Sequence, residues 1–304
     1  MNKEILQKLF LEFMEKSDVL IDEPMKNHTS FKIGGPADVL LKPRSIDDLQ
    51  KIIKICKGQE APYFVMGNGS NLLVRDKGLR CVVIKIADNF NDVKFEGTTV
   101  KAQAGILLST LSNKILKESL GGFEFASGIP GTLGGAVTMN AGAYGGEMKD
   151  VLKSCRVLDL DGNVLEFTNE ELELGYRTSI IQQNGYVVLD VIMELVSEEY
   201  EVIKNKIGEL TQQRTTKQPL HLPSAGSVFK RPPGYYAGKL IQDSNLRGAK
   251  VGGAQISELH CGFIVNAGDA TAEDVLSLIE LIQKEVKKNF DVDLHTEVKV
   301  IGEV

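Results

Sequence analysis

Apolar residues recur at helical spacing in several separated stretches of the chain. Behind Ser45, which reads as an N-cap with Asp48 at the third helical position, come Ile46, Leu49, Ile52, Ile53 and Cys56. Leu107 to Leu116, Tyr200 to Gln213 and Ala237 to Asp243 read as further helices. The pattern from Thr271 to Phe290 is the longest of these. Thr271 stands as N-cap, Asp274 at the third position, and Val275, Leu278, Ile279, Ile282 and Val286 form one face. The first residues, MNKEILQKLFLEFMEK, are also amphipathic.

Strand signals lie between these helices. Asn27 to Lys42 is extended and broken by Gly34-Gly35-Pro36, and Tyr63 to Met66, Cys81 to Ile86, Thr99 to Ala104 and Gly262 to Asn266 read as strands. Two hairpins are expected. Val157 to Phe167 would fold about Asp161-Gly162 and Ile180 to Leu195 about Asn184-Gly185, since both dipeptides suit a type I′ turn. The rhythm is α+β. Boundaries near residues 88 and 200 divide the chain into segments 1–88, 89–199 and 200–304.

The glycines sharpen this picture. Of 30 in the chain, many gather in two clusters. Gly67-Asn68-Gly69-Ser70-Asn71 follows a strand but lacks the third glycine and the following helix of a Rossmann fingerprint, and no Gly-Lys-Ser/Thr closes it as in a P-loop. Gly128-Ile129-Pro130-Gly131-Thr132-Leu133-Gly134-Gly135 leads into a short helix. Runs of small residues let backbone N–H groups approach an anion. One such loop alone reads as a tight turn. Two could grip a diphosphate from both sides.

Composition narrows the function classes. Of the 304 residues 42% are apolar and 25% charged, ordinary for a globular chain with a core, and the net charge of −6 argues against a nucleic-acid partner. The N-terminus lacks the features of a signal peptide, and no run of 18 apolar residues predicts a membrane span. Cys56, Cys81, Cys155 and Cys261 are far apart, with no CxxC, so neither a metal site nor a disulfide framework is expected. The expected setting is the cytoplasm, and the expected state a monomer.

Five motifs occur in order: Asn27 to Asp38 (NHTSFKIGGPAD), Gly67 to Leu73 (GNGSNLL), Ser127 to Ala136 (SGIPGTLGGA), Gly175 to Arg177 (GYR) and Ala225 to Lys230 (AGSVFK). Together they resemble the UDP-N-acetylenolpyruvoylglucosamine reductase family, from about Asn27 to the end. The resemblance implies a two-part FAD-binding region of the vanillyl-alcohol-oxidase or p-cresol-methylhydroxylase type, with a C-terminal α+β substrate-binding domain. It implies FAD contacts at Gly67, Asn68, Gly69, Ser70 and Asn71, at Gly128, Ile129, Pro130, Gly131, Gly134 and Gly135, and at Asn140, Gly142 and Ala143. It implies NADPH as co-substrate and a UDP-sugar as substrate.

The family reaction turns an enolpyruvyl ether into a lactyl ether. NADPH reduces the flavin and its product leaves. The UDP-sugar enters the same site, takes hydride at C3, and must be protonated at C2. By resemblance Ser227 is the proton donor, Arg177 bonds the substrate carboxylate, and Glu297 completes the set. Arg214 and Lys217, in Arg-Thr-Thr-Lys, match the family's basic substrate motif, and Lys230 and His260 are placed with them. A serine hydroxyl is a weak acid and needs assistance. Read alone, Ser227 is a turn serine, Arg177 a surface ion-pair residue and Glu297 an exposed strand position. Longer family members carry an insert with a tyrosine that closes over the substrate. Here only 36 residues separate Arg177 from Arg214, which points to the shorter, type II branch. Two other readings stay open at this level: a different FAD oxidoreductase of the same fold, and a nucleotide-binding module without catalysis.

Overall fold

A computed structural model describes residues 1–87 and 89–304, so the boundary expected near residue 88 falls outside the described residues. By contact the chain forms two compact units. The first comprises Met1–Ile21, Val39–Asn68 and Cys81–Arg214, and the second Asp22–Asp38, Gly69–Arg80 and Thr215–Val304.

The first unit contains helices α1 (Lys3–Leu11), α2 (Ile46–Gly58), α3 (Leu108–Lys117), α4 (Leu133–Thr138) and α5 (Ile180–Asn184), with most of α6 (Tyr200–Lys217). Ser45 caps α2 as its pattern predicts, its hydroxyl accepting from the Asp48 amide at 3.1 Å. Leu49, Ile52, Ile53 and Cys56 are buried in one cluster with Val82 and Ile84 of the strand Leu79–Lys85. That strand pairs in parallel with Tyr63–Met66, whose last residue opens the first glycine loop.

The largest sheet of this unit is five-stranded and antiparallel, in the order Val164–Thr168, Leu152–Leu158, Val187–Glu194, Thr99–Gln103, Val93–Glu96. The hairpin expected over Val157 to Phe167 forms, with Leu158 opposite Val164. Its connection is longer than a two-residue turn, because the Asp159 carboxylate accepts from the amides of Asp161 and Asn163, both at 2.8 Å. The second expected hairpin does not form. Ile180–Asn184 is the helix α5, capped by Ser179, and Gly185 ends it in the left-handed region at φ 67°. Asn-Gly serves a helix C-cap as well as a hairpin turn, since both need a positive φ.

The second unit holds α7 (Ala237–Asp243), α8 (Ala272–Phe290) and a three-stranded antiparallel sheet, Lys250–Val251, Ala254–Ile256 and Ile264–Asn266. Lys299–Ile301 pairs in parallel with Leu72–Val74. The predicted face of α8, from Val275 to Val286, is buried in this unit's core with Ile256 and Ile264. Each such side chain contributes about 1.5–3 kcal/mol relative to exposure. Thr271 and Asp274 form a capping box. The Asp76 carboxylate takes the remaining first-turn amides, Ala272 at 2.9 Å and Glu273 at 3.2 Å. Asp76→Ala leaves two amide donors of a helix N-terminus without their acceptor. It is expected to lower stability by about 1–2 kcal/mol in a urea titration.

Candidate active site: two glycine loops and the Ser227–Glu297 edge

In the first unit the two glycine loops touch. A Cβ at residue 67 would stand 2.1 Å from Thr132 Oγ1, so Gly67 has a packing reason to be glycine. Thr132 is buried and is the N-cap of α4. The second loop is pinned from below. Leu108 donates to the Gly131 carbonyl and Leu133 to that of Ile106, both at 2.9 Å, and Gly134 donates to Ala104 at 2.8 Å. Gly134 lies so close to Ala104 that a Cβ there would meet the Ala104 Cβ at 2.9 Å.

The amides left over define what the loops can hold. Among the described residues, those of Gly67, Asn68, Gly128 and Thr132 donate to no other group of the chain. In the second unit the same is true of Gly69, Ser70 and Asn71. Amides without a partner in a run of small residues suit phosphate oxygens, so each of these two sets by itself fits an anion such as a phosphate of FAD. Ile129 and Gly131 instead spend their amides inside the loop, on Ala126 and Ile129, and Pro130 has none to offer.

The Asn140 to Ala143 segment does two jobs. Gly142–Ala143 pairs with Gly146–Glu147 in a small hairpin whose corner residues, Tyr144 and Gly145, have φ 54° and 89°. Both positive values are those of a type I′ turn. Asn140 is fully buried. Its Nδ2 donates to Glu147 Oε2 at 2.6 Å and to the Gly175 carbonyl at 3.1 Å, and its Oδ1 accepts from the Lys149 amide at 3.0 Å. That side chain is committed within the protein.

Arg214 belongs to the last turn of α6, which runs four residues past the predicted end and so carries Arg214 and Lys217 on helix. Its stem crosses Gly128, where a Cβ would come within 2.9 Å of Arg214 Cδ. Burial lowers the guanidinium's pKa, and Tyr144 acts in the opposite direction. Arg177 follows Gly175 and Tyr176 in a tight turn, with φ 58°, and its guanidinium lies 5.0 Å from the Tyr176 ring centre.

The second unit brings Ser227, Glu297, Lys230 and His260 into one neighbourhood. Gly226, at φ 78°, aims the segment. Val228 donates to the Gly262 carbonyl at 2.9 Å, Glu297 to that of Val228 at 2.7 Å, and Lys230 to that of His295 at 2.9 Å. Ser227 and Glu297 therefore sit on adjoining strand-like edges. Ser227 Oγ reaches the Phe229 carbonyl only at 3.4 Å, a weak bond that leaves the hydroxyl free to turn. The His260 ring and Ser227 Oγ flank Gly262, where a Cβ would be 2.9 Å from His260 Cε1 and 3.5 Å from the hydroxyl. Burial lowers the pKa of His260, and Nδ1 accepts from the Gly262 amide at 3.1 Å. The neutral ring thus carries its proton on Nε2. Asn71, in the same unit, is bonded to this edge. Its Nδ2 donates to the Glu297 carbonyl at 3.1 Å, and its own carbonyl accepts from Lys299 at 3.0 Å.

Comparison with known proteins decides the family. Residues 37–168 match an FAD binding domain, and residues 218–301 match the C-terminal domain of UDP-N-acetylenolpyruvoylglucosamine reductase. The reductase of that name from Alkaliphilus metalliredigens is 65% identical over 304 residues, all of both chains. That from Clostridioides difficile is 52% identical over 303 residues, again all of both. The chain belongs to the UDP-N-acetylenolpyruvoylglucosamine reductase family. The crystal structure of the Thermus caldophilus UDP-N-acetylenolpyruvylglucosamine reductase superposes with a TM-score of 0.80 at 37% identity, covering 93% of this chain and 99% of that one. Alkyldihydroxyacetonephosphate synthase matches with a TM-score of 0.51 at 16% identity over 65% of this chain and 41% of its own, a likeness of fold alone.

As a member of this reductase family the chain is an FAD-dependent oxidoreductase with the expected α+β architecture, an FAD-binding domain with the family's C-terminal domain. No described helix is long and apolar enough to cross a membrane. Two residues of the site escaped the sequence. Thr132 was hidden among glycines, although a threonine before Leu-Gly-Gly is a recognisable N-cap. Lys299 reads as an ordinary strand residue. Its pKa is lowered, by desolvation first and by the nearby Lys230 second, and only the fold reveals that neighbour.

Proposed function

We propose that this chain reduces UDP-N-acetylenolpyruvoylglucosamine to UDP-N-acetylmuramate with NADPH, in the cytoplasm, as a step of peptidoglycan precursor synthesis. Full-length identity to named reductases carries the reaction. The roles of individual residues rest on the motif resemblance and on the geometry above. Residues 1–88 and 89–199 hold FAD, through the loops at Gly67–Asn71 and Gly128–Gly135, and residues 200–304 receive the UDP-sugar. FAD supplies hydride transfer from NADPH to the enolpyruvyl group.

The protein's own groups do the rest. Arg177 holds the substrate carboxylate, and its planar guanidinium gains from the charge that grows there when C3 accepts hydride. Ser227 gives its hydroxyl proton to C2, which its loosely held Oγ is free to reach. Glu297, on the neighbouring edge, completes the set. Arg214, Lys217 and Lys230 meet the anionic diphosphate, and His260 offers its Nε2–H to the same ligand.

The test is direct. The purified protein should be yellow, bleach with NADPH under anaerobic conditions, and regain colour on addition of the enolpyruvyl sugar. A protein that takes up no FAD would sink the proposal. Bleaching without recovery by this sugar would favour another substrate on the same fold.

A further inference from the structure

The turn that carries Arg177 is strained and is fastened from outside by buried side chains. Arg177 is a non-glycine residue at φ 58°, a conformation that costs free energy unless its surroundings impose it. Two backbone bonds close the turn, Gly175 N–H to the Thr178 carbonyl at 3.1 Å and Thr178 N–H to the Gly175 carbonyl at 3.4 Å. Two further bonds fasten its ends to the C-terminal turn of α4. Asn140 Nδ2 donates to the Gly175 carbonyl at 3.1 Å, and Ser179 Oγ donates to the Thr138 carbonyl at 2.6 Å. Both tethering side chains are fully buried. The α4 end of this tether is rigid, because Asn140 is itself held by Glu147 and Lys149. The other end of α4 is the second glycine loop.

We propose that Asn140 and Ser179 are positioning residues for Arg177, fixing its turn from the helix that follows the cofactor loop. Asn140 then serves the substrate half of the reaction rather than cofactor binding. This rests on the assignment of Arg177 to the substrate carboxylate. The expected consequence is selective: the tethers matter where Arg177 acts and nowhere else.

The experiment follows the two half-reactions separately by flavin absorbance, with FAD affinity from flavin fluorescence. Asn140→Ala should keep FAD affinity and the rate of bleaching by NADPH within about twofold. Reoxidation by the enolpyruvyl sugar should slow about 10- to 100-fold, the effect of a misplaced contact group. In an Arg177→Ala background, adding Asn140→Ala should slow reoxidation no further, because the tether then holds nothing that acts. Additive slowing, equal slowing of both half-reactions, unchanged reoxidation or loss of FAD affinity would each overturn the proposal. If Asn140→Ala does not fold, Ser179→Ala, which cuts the other tether, carries the same comparison. Normal reoxidation by Arg177→Ala alone has a separate meaning: it removes Arg177 from the carboxylate site, and this inference with it.

Discussion

Ser227→Ala should bleach with NADPH at the rate of the unmodified protein and then reoxidise with the enolpyruvyl sugar about 10²–10⁴-fold more slowly. The two half-reactions separate because only the second needs a proton at C2. The substitution is small and structurally mild. Ser227 makes one weak bond, at 3.4 Å to the Phe229 carbonyl, and the segment is held by backbone bonds of Val228 to Gly262 and of Glu297 to Val228. Melting should therefore stay close to that of the parent, which keeps a kinetic loss from being mistaken for a folding loss. Stopped-flow reoxidation under anaerobic conditions is the measurement. If the alanine variant reoxidises normally, another group or a water delivers the proton, and Ser227 has only a structural part.

Much of the fold could be read from residues whose local chemistry has one outcome. Ser45 with Asp48, and Thr271 with Asp274, start helices where the pattern places them. Asn184-Gly185 was misleading because a positive φ is needed both at a I′ hairpin corner and at a helix C-cap. The choice is made by Ser179, which caps α5 and whose hydroxyl is drawn to the Thr138 carbonyl, a distant partner. Asp76 is the opposite case. Nothing near it in sequence marks it as the acceptor for the first turn of α8, which begins nearly two hundred residues later.

The site divides the same way. Glycine clustering exposes both loops proposed to hold the cofactor, since unpartnered amides and close approach require small residues. The motif groups Asn140 with them, and the structure shows its side-chain amide donating to Glu147 and Gly175. Sequence places a polar residue near a loop, but it does not say which way a buried side chain is committed. The proximity of His260 to Ser227 arises because both pack against Gly262, a tertiary fact with no local signature.

Gly67→Ala should yield protein with little bound FAD, although residue 67 has no need of glycine's backbone freedom. The cause is steric. Its Cβ would lie 2.1 Å from Thr132 Oγ1 and 3.3 Å from Thr132 Cβ, so one of the two loops must move. Overpacking of this kind costs about 1–3 kcal/mol. Since 1.4 kcal/mol is tenfold in affinity, the dissociation constant for FAD should rise roughly 5- to 150-fold if the strain is relieved by opening the loops. The same geometry names its own suppressor. Thr132→Ala removes the hydroxyl that clashes and leaves a Cβ contact near 3.3 Å, tight but tolerable. Its cost to α4 is small, because the cap bond from the Gly135 amide is already long at 3.5 Å. The double variant Gly67→Ala/Thr132→Ala should recover much of the lost affinity in a fluorescence titration of apoprotein with FAD. Tight FAD binding by Gly67→Ala alone would show that the loops yield without harm. Failure of the double variant to recover would show that residue 67 must be glycine for the ligand's sake, its α-carbon lying where the diphosphate itself needs room.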